Sequence, residues 1–326
     1  MTPKQGAILA LKIKKPDYVP TTELDFQLTE ELFKERYFDS TNSASSNKSI
    51  KDMIEHNARL LAKVSDFFDY AIIVITLRQV PLMRPNNDKN VLDNKEFLDN
   101  VCMMPPLLRK NLNEDRLIFT YGDGTHGVPH GSDLLDYVYS IKDKPKEVKN
   151  EASRMVKRVI QYSKRLIDSG FDGFVQTQDY ATNAGPFLSP EMFKEFVTPY
   201  LFELTEAQRD MGGFVIKHTD GNIIPIIDQL LECSPHAIHS LDPQADMDIK
   251  KIKSLYGERV CLIGNVECNL LQTGTKAELL ESSEYAMSNG KPGGGYIFST
   301  SNCVFKGAKL ENYLLVHEYW KKNKDY

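Results

Sequence analysis

Short buried runs alternate with amphipathic ones through the second half of the chain. Between residues 144 and 170 apolar side chains recur at helical spacing, and Gly170 suits a C-terminal cap. The run GFDGFVQ then reads as a buried strand, and Ser189-Pro190-Glu191 has the capping serine, first-turn proline and acid that begin a helix. The same strand and helix unit repeats through GFVIKH, HAIHSL, RVCLIG and GGYIFST. Helices between short apolar strands indicate right-handed crossovers and a parallel sheet.

The first half adds the strand candidates AIIVITL (71–77) and RLIFTY (116–121), with helices at about 22–37 and 47–68. An open doubly wound sheet and a closed barrel both fit this order. At least six strand units without a clear second domain favour closure. We therefore predict one (β/α)8 TIM-barrel domain over residues 1–326, with N-terminal helical additions and a Pro- and Asn-rich insertion at about 81–113.

Composition narrows the class of protein. The 326 residues carry a net charge of -5, with lysines spread among glutamates, so a basic face for nucleic acid is not expected. No run approaches the ~18 apolar residues that cross a bilayer, and the N-terminus lacks a cleavable signal pattern. Five cysteines without a CxxC pair are typical of reduced thiols. We expect a cytoplasmic protein with no membrane or nucleic-acid partner.

Polar residues follow nearly every strand of the predicted barrel, where side chains line the mouth of the active site. A single Asp, Asn or Ser at such a place is often only a helix cap or turn former, and a lone histidine is more often a satisfied polar residue than a ligand. The residues in question are Asp123, His126, Gln178, Asp179, His218, Thr219, Asp220, Ser240, Asp242, Asn265, Glu267, Ser299, Ser301, Asn302 and Cys303.

His218 is the histidine most typical of a site. Lys217 and Asp220 flank it at a strand end, and residues two apart share a face of the strand. Together with Glu267 and Cys303 from neighbouring strands, His218 and Asp220 could supply the nitrogen, oxygen and sulfur donors that catalytic zinc accepts. By contrast, the GxGxxG match at 122–127 does not predict a dinucleotide site, because no helix opens directly after it.

Four segments resemble the uroporphyrinogen decarboxylase superfamily, most densely over residues 145–315: TPKQGAILALKIKKPDYVP, HTDGNIIPIIDQLLE, HSLDPQADMDIKKIKSLYGERVCLIGNVE and PGGGYIFSTSN. The resemblance implies a (β/α)8 barrel. Uroporphyrinogen decarboxylase itself binds an acidic tetrapyrrole through an arginine-rich MRQAGRY-type segment near the N-terminus. Here Leu77-Arg-Gln-Val80 stands too late and lacks the second arginine. A substrate with many carboxylates would therefore have few partners.

The other branch of the superfamily is the corrinoid-dependent methyltransferases. Some of them bind zinc through a His-x-Cys pair and a cysteine that follows a later GGYI-type strand. This chain reads His218-Thr-Asp220, with an acid in place of the first cysteine, and Cys303 stands close to the place of the second. The His-Thr-Asp-Gly-Asn form is similar to the subgroup that demethylates methoxylated aromatics.

The resemblance implies an O-demethylase type of reaction, in which a methyl group passes from a small donor, such as an aryl methyl ether, to a corrinoid. No Asp-x-His-x-x-Gly cobalamin motif occurs, so the corrinoid (methylcobalamin once loaded) is expected on a partner protein. We expect His218, Glu267 and Cys303 to bind zinc, with Asp220 as an alternative third ligand, and Asp179, Asp220 and His218 to be catalytic.

Tyr121, His126, Gln178 and Asn265 are the expected substrate contacts. Two other functions stay open. One is a metal-free decarboxylase of the uroporphyrinogen decarboxylase type, with Asp179 or Asp220 as the acid. The other is a barrel that only binds or scaffolds, which the many polar residues after the strands argue against.

Overall fold

The computed structural model describes residues 1–39, 47–81, 95–129, 131 and 133–326. Its main sheet has seven parallel strands, in this order: β1 (Ile72–Ile75), β2 (Leu117–Tyr121), β3 (Gly173–Gln176), β6 (Phe214–Thr219), β7 (Ala237–Ser240), β8 (Cys261–Val266) and β9 (Tyr296–Thr300). Two short strands after β3 form a separate antiparallel hairpin, β4 (Ala181–Thr182) with β5 (Gly185–Pro186). Almost every residue of the seven strands is buried, as expected of a parallel sheet covered by helices.

Helices precede, connect and follow these strands. They are α1 (Pro3–Leu11), α2 (Thr29–Phe33), α3 (Ile50–Phe67), α4 (Lys95–Asn111), α5 (Asp133–Asp143), α6 (Pro145–Asp168), α7 (Pro190–Phe196), α8 (Thr198–Asp210), α9 (Ile227–Glu232), α10 (Ile249–Tyr256), α11 (Leu270–Thr273), α12 (Lys276–Gly290) and α13 (Leu310–Asn323). The helix predicted from Ser189 to about Met211 is divided at Val197 into α7 and α8. In the part of the chain that the structure covers, every helix is too short or too polar to span a bilayer.

The N-terminal segment joins the two edges of the sheet. Thr21 forms isolated parallel bridges with Tyr70, just before β1, and with Phe298 of β9. The amide of Ala71 donates to the carbonyl of Thr21, and the amide of Phe298 donates to that of Pro20, both at 2.8 Å. The sheet is therefore curled. Within the described ranges it has seven strands where the sequence predicted eight, and extended residues around Thr21 lie between its edges.

Two predictions for the first half need correction. The helix expected at about 22–37 is confined to α2, because the preceding residues are extended and Phe26 bridges Val304. The expected insertion at about 81–113 contains α4, which packs against α3 and α6 as part of the crossover from β1 to β2. Residues 82–94 of that insertion lie outside the described residues.

Candidate active site

Three of the predicted residues meet at the carboxyl ends of β3 and β6. The Nε2 atom of His218 lies 3.9 Å from Oδ1 of Asp179 and 3.8 Å from Oδ1 of Asp220. One ligand atom from each of the three residues lies within 4.8 Å of the others. We call this group the Asp179–His218–Asp220 cluster. One imidazole and two carboxylates at this spacing could hold a metal ion.

Hydrogen bonds from three directions fix the carboxylates of the cluster. The amide of Asp220 donates to Oδ1 of Asp179 at 2.9 Å. Ser240, at the end of β7, donates to Oδ1 of Asp220 at 2.7 Å, and Asn302, after β9, donates to its Oδ2 at 2.6 Å. Gly221 follows at a φ of +84°, and a Cβ there would lie 2.6 Å from the carbonyl oxygen of Thr182. The sharp turn after Asp220 therefore requires glycine.

The ring of His218 contacts a second histidine, His239, on the neighbouring strand β7. His218 and His239 are register partners on β6 and β7, and their Nδ1 atoms lie 2.8 Å apart. At that distance one nitrogen donates and the other accepts. Burial lowers the pKa of His218, although Asp220 and Asp179 oppose the shift, and burial together with the neighbouring His218 lowers the pKa of His239. Both rings are neutral near neutral pH, the form in which imidazole binds metals.

A buried ion pair supports the segment that carries Asp179. Nζ of Lys217 donates at 2.9 Å to Oδ2 of Asp123 and at the same distance to the carbonyl of Gln178. The two side chains are 1% and 2% exposed. Burial would raise the pKa of Asp123, but Lys217 and the amides of Gln178 and Thr125 hold it below its ordinary value. The sequence pattern flagged Asp123 and Lys217 separately and gave no sign that they pair.

Close packing accounts for the glycines of the 122–127 segment. A Cβ on Gly122 would lie 2.7 Å from the ring of Phe174, and one on Gly127 would lie 2.6 Å from Oε1 of Gln178. These glycines let the loop after β2 pack tightly against its neighbours. His126 of the same loop packs against Tyr137, and burial lowers its pKa.

The structure does not bring Glu267, an expected zinc ligand, into the Asp179–His218–Asp220 cluster. Glu267 lines a separate cavity of about 640 Å³ together with Asn265, Asp248 and Tyr285. Its amide donates to Oγ of Ser282 on α12 at 3.0 Å, which holds the segment toward that helix. Asn265, an expected substrate contact, donates instead to the carbonyls of Leu241 and Met247.

Cys303 lies beside the cluster and does not belong to it. It lines a cavity of about 240 Å³ with Tyr121, Arg78, Asp25 and Asn302. Burial is the main cause that raises the pKa of the Cys303 thiol to about 12, so the sulfur is protonated near neutral pH. Among the described residues, the three-membered cluster around His218 contains no cysteine.

Comparison with known proteins identifies the family. The family model for uroporphyrinogen decarboxylase (URO-D) matches residues 131–322, more than half of the chain. The chain belongs to the uroporphyrinogen decarboxylase family. This confirms the resemblance seen in the sequence. A search of curated proteins found no match.

Two solved structures show how the fold of this URO-D family member is shared. A methyltransferase from Methanosarcina mazei superposes with a TM-score of 0.74 over 99% of both chains, at 15% sequence identity. A beta-mannanase from the blue mussel Mytilus edulis superposes with a TM-score of 0.50 over 88% of this chain and 92% of that one, at 10% identity. At these identities both likenesses show a common fold.

Two buried acids of this family member were missed by sequence reasoning. Glu23 accepts hydrogen bonds from the amide and hydroxyl of Thr300, at 3.1 and 2.6 Å, and from Ser299 and Tyr313. Burial raises the pKa of Glu23 to about 7, against the effect of these donors. Asp25 is buried close by. The signal that could have found them is two acids at alternate positions in PTTELDF, a segment interpreted as the start of a helix.

Proposed function

We propose that this protein is a methyltransferase that moves a methyl group from a small methylated donor, such as an aryl methyl ether, to the cobalt of a separate corrinoid protein. The observation that carries the proposal is the Asp179–His218–Asp220 cluster, whose three ligand atoms lie within 4.8 Å of one another. The family match and a fold shared with a methyltransferase support it.

The donor set of the cluster fits zinc. Catalytic zinc sites commonly use three protein ligands, nitrogen and oxygen among them, and leave a fourth position open. His239 holds the far side of the His218 ring, and Ser240 and Asn302 hold Asp220, as supporting residues do around metal ligands. Zinc bound there would act as a Lewis acid that stabilises negative charge on the leaving oxygen of the donor. In this proposal Asp179 and Asp220 replace Glu267 and Cys303 as ligands.

The reaction also needs a proton. When the bond from the methyl carbon to the donor oxygen breaks, its electron pair stays on oxygen, while cobalt supplies the pair for the new bond to carbon. A carboxylate that binds zinc is ionised, so the proton for the leaving oxygen comes from solvent on the partly exposed side of the cluster. The side chain of Asp179 is 44% exposed, compared with 35% for Asp220, and its Oδ2 accepts no hydrogen bond from a described residue. In this proposal Oδ2 of Asp179 accepts a hydrogen bond from the water that delivers the proton.

The corrinoid acceptor would arrive on a partner, because the chain contains no Asp-x-His-x-x-Gly motif. The cluster lies where the strands end, so a corrinoid domain docked over these ends would bring cobalt toward the methyl carbon. We expect contact at the loops after β6 to β9.

Elemental analysis of purified protein tests the proposal. Wild type should hold about one equivalent of zinc, lost in His218→Ala and in Asp220→Asn, whereas the matched acid variant Glu267→Gln should keep it. The rate of methyl transfer from para-methoxybenzoate to reduced free cobalamin is measured from the change in cobalamin absorbance. Activity should be lost in His218→Ala and in Asp220→Asn and kept in Glu267→Gln. Folded wild type that purifies without zinc and binds none on addition would contradict the mechanism. That result would favour metal-free decarboxylation with Asp179 or Asp220 as the acid.

A further inference from the structure

Two residues expected at the active site, Glu267 and Asn265, line a separate cavity of about 640 Å³. The cavity lies between the loops after β7 and β8 and the first half of α12. Five of its lining residues carry a carboxylate, and we therefore call it the acidic cleft: Asp246, Asp248, Glu267, Glu278 and Glu281. None of the five belongs to the Asp179–His218–Asp220 cluster.

The acidic cleft carries negative charge without a balancing cation. Among the described residues of its wall there is no lysine, arginine or histidine. The carboxylates of Asp246, Glu267 and Glu281 form neither a hydrogen bond nor an ion pair with a described residue. Burial, Asp242 and Glu278 raise the pKa of Glu267, because a second negative charge nearby is unfavourable. A positively charged ligand would remove that repulsion.

The spacing of these acids does not suit a single metal ion. Within the described ranges, the Asp179–His218–Asp220 cluster is the one group of three or more such ligand atoms that lie within 4.8 Å of one another. The carboxylates of the acidic cleft are therefore spread more widely. A cavity of this volume has the size of a site for a larger ligand. Long side chains that end in a cation, such as several lysines on one segment, can reach separate carboxylates.

Asn265 adds a neutral acceptor to the same cleft. The residue is 4% exposed, and its Nδ2 donates to the carbonyls of Leu241 and Met247 at 2.9 and 3.2 Å. Its Oδ1 accepts no hydrogen bond from a described residue and is left to the cleft that Asn265 lines. Buried polar atoms are nearly always paired, so this oxygen suits a ligand that donates hydrogen bonds. Lysine and arginine side chains donate and carry positive charge, which matches both the oxygen and the carboxylates.

The acidic cleft lies at the same end of the sheet as the Asp179–His218–Asp220 cluster. Ser240, at the end of β7, donates to Oδ1 of Asp220. The chain continues from Ser240 to Asp246 and Asp248 of the cleft, and Asn265 belongs to the next strand, β8. A corrinoid domain that covers the ends of β6 to β9 to reach the cluster therefore also covers the cleft.

We propose that the corrinoid protein docks through a segment rich in lysine or arginine, which binds in the acidic cleft. Opposite charges on the two surfaces would speed their encounter and fix the orientation in which cobalt faces the cluster. This inference rests on the proposed methyl transfer and names the kind of surface that the partner carries.

Fluorescence anisotropy with a labelled hexalysine peptide tests the cleft, with no methyl donor or cobalamin present. Wild type should bind the peptide saturably, and more weakly as salt is added. The double variant Glu278→Gln and Glu281→Gln should bind it at least about fivefold more weakly. The matched control is the double variant Glu203→Gln and Glu206→Gln. It also removes two glutamates three residues apart on one helix, α8, which lies outside the cleft, and it changes the net charge equally.

No saturable binding, an affinity that salt does not change, or equal losses of affinity in the two double variants would each overturn the inference. Magnesium binding by wild type that is lost in the variant of Glu278 and Glu281 would make the cleft a metal site and would also overturn it. Methyl transfer to free cobalamin needs no docking, so the two proposals fail separately. Transfer by wild type without hexalysine binding at the cleft overturns the docking inference alone, and binding at the cleft without transfer overturns the proposed function.

Discussion

Two neighbouring residues of β6, Lys217 and His218, have opposite surroundings. Lys217 pairs with Asp123 in the interior, where protein donors and acceptors surround both charges. His218 faces two carboxylates that remain partly exposed. Successive residues of a strand point to opposite faces, so one strand end serves both groups. The comparison shows two uses of a basic side chain beside carboxylates. A pair whose donors and acceptors are all satisfied by the protein holds a loop in place, whereas a group with unsatisfied acceptors can bind a ligand.

The largest effect is expected from Lys217→Met. It leaves the Asp123 carboxylate buried without its cation, and the free energy of unfolding should fall by about 3–5 kcal/mol. Guanidinium denaturation followed by circular dichroism measures this. The control is Lys149→Met, which removes an exposed pair with Glu195 and should cost less than about 1 kcal/mol. If the two variants lose the same free energy of unfolding, the buried pair of Lys217 and Asp123 stabilises the protein no more than an exposed pair does, and the expected contrast is wrong.

His218→Ala should lower activity much more than stability, the reverse of what we expect for Lys217→Met. Methyl transfer should fall by about a thousandfold, or ~4 kcal/mol of barrier, because the Lewis acid at the leaving oxygen is lost, while the unfolding free energy changes far less. Rates with a methoxyaromatic donor and a denaturation curve on the same sample test this. His56→Ala, which removes a half-buried histidine of α3, is the matched control. A variant that loses stability and activity in parallel would make His218 a structural residue like Lys217.

Glu23 sharpens the comparison, because it is a buried carboxylate with hydrogen bonds and, among the described residues, no paired cation. Burial raises its pKa from 4.5 to about 7 in the folded protein, so folding favours the protonated form. Its stabilising contribution, about 3 kcal/mol, is complete below pH 4.5 and is lost as the pH rises through about 7. The stability of wild type relative to Glu23→Gln should therefore fall across this range. A difference that stays constant with pH would contradict the assignment.

The smallest effect is expected at His239, which contacts His218 of the cluster. His239→Phe keeps a ring beside His218 but removes its hydrogen bond, and zinc affinity should fall about 10–100-fold. Competition with a chromogenic chelator measures the affinity. His236→Phe, just before the start of β7, controls for loss of a histidine elsewhere. Unchanged affinity would mean that packing alone orients His218.

Local pattern predicted the residues that stand next to each other in sequence or directly after a strand. His218 and Asp220 share a strand face, and Asp179 follows β3, so all three were foreseen. Glu267 also follows a strand, but its amide donates to the side chain of Ser282 on a later helix. Sequence spacing does not reveal that contact. The Lys217 and Asp123 pair joins residues 94 apart, and nothing local marks it.

The first half was harder to predict for the same physical reason. Thr21 and Phe26 are extended because they pair with Phe298 and Val304 at the other end of the chain. Those partners are invisible to a short window, in which the acids and leucines of this segment match a helix. The predicted Pro- and Asn-rich insertion includes Pro105 and Pro106, and both residues lie within α4. The alternating parallel fold was nevertheless predicted, because its second half repeats one local unit.

His218 and His239 contact each other through their Nδ1 atoms, so the tautomer of one ring determines that of the other. A separation of 2.8 Å between two Nδ1 atoms has room for one hydrogen. A metal on Nε2 of His218 would place that hydrogen on Nδ1 of the same ring, and His239 must then carry its own hydrogen on Nε2. The tautomer of His239 would thus follow the metal. Its ring nitrogens, observed by NMR, would report whether the neighbouring site is filled without any substrate being turned over.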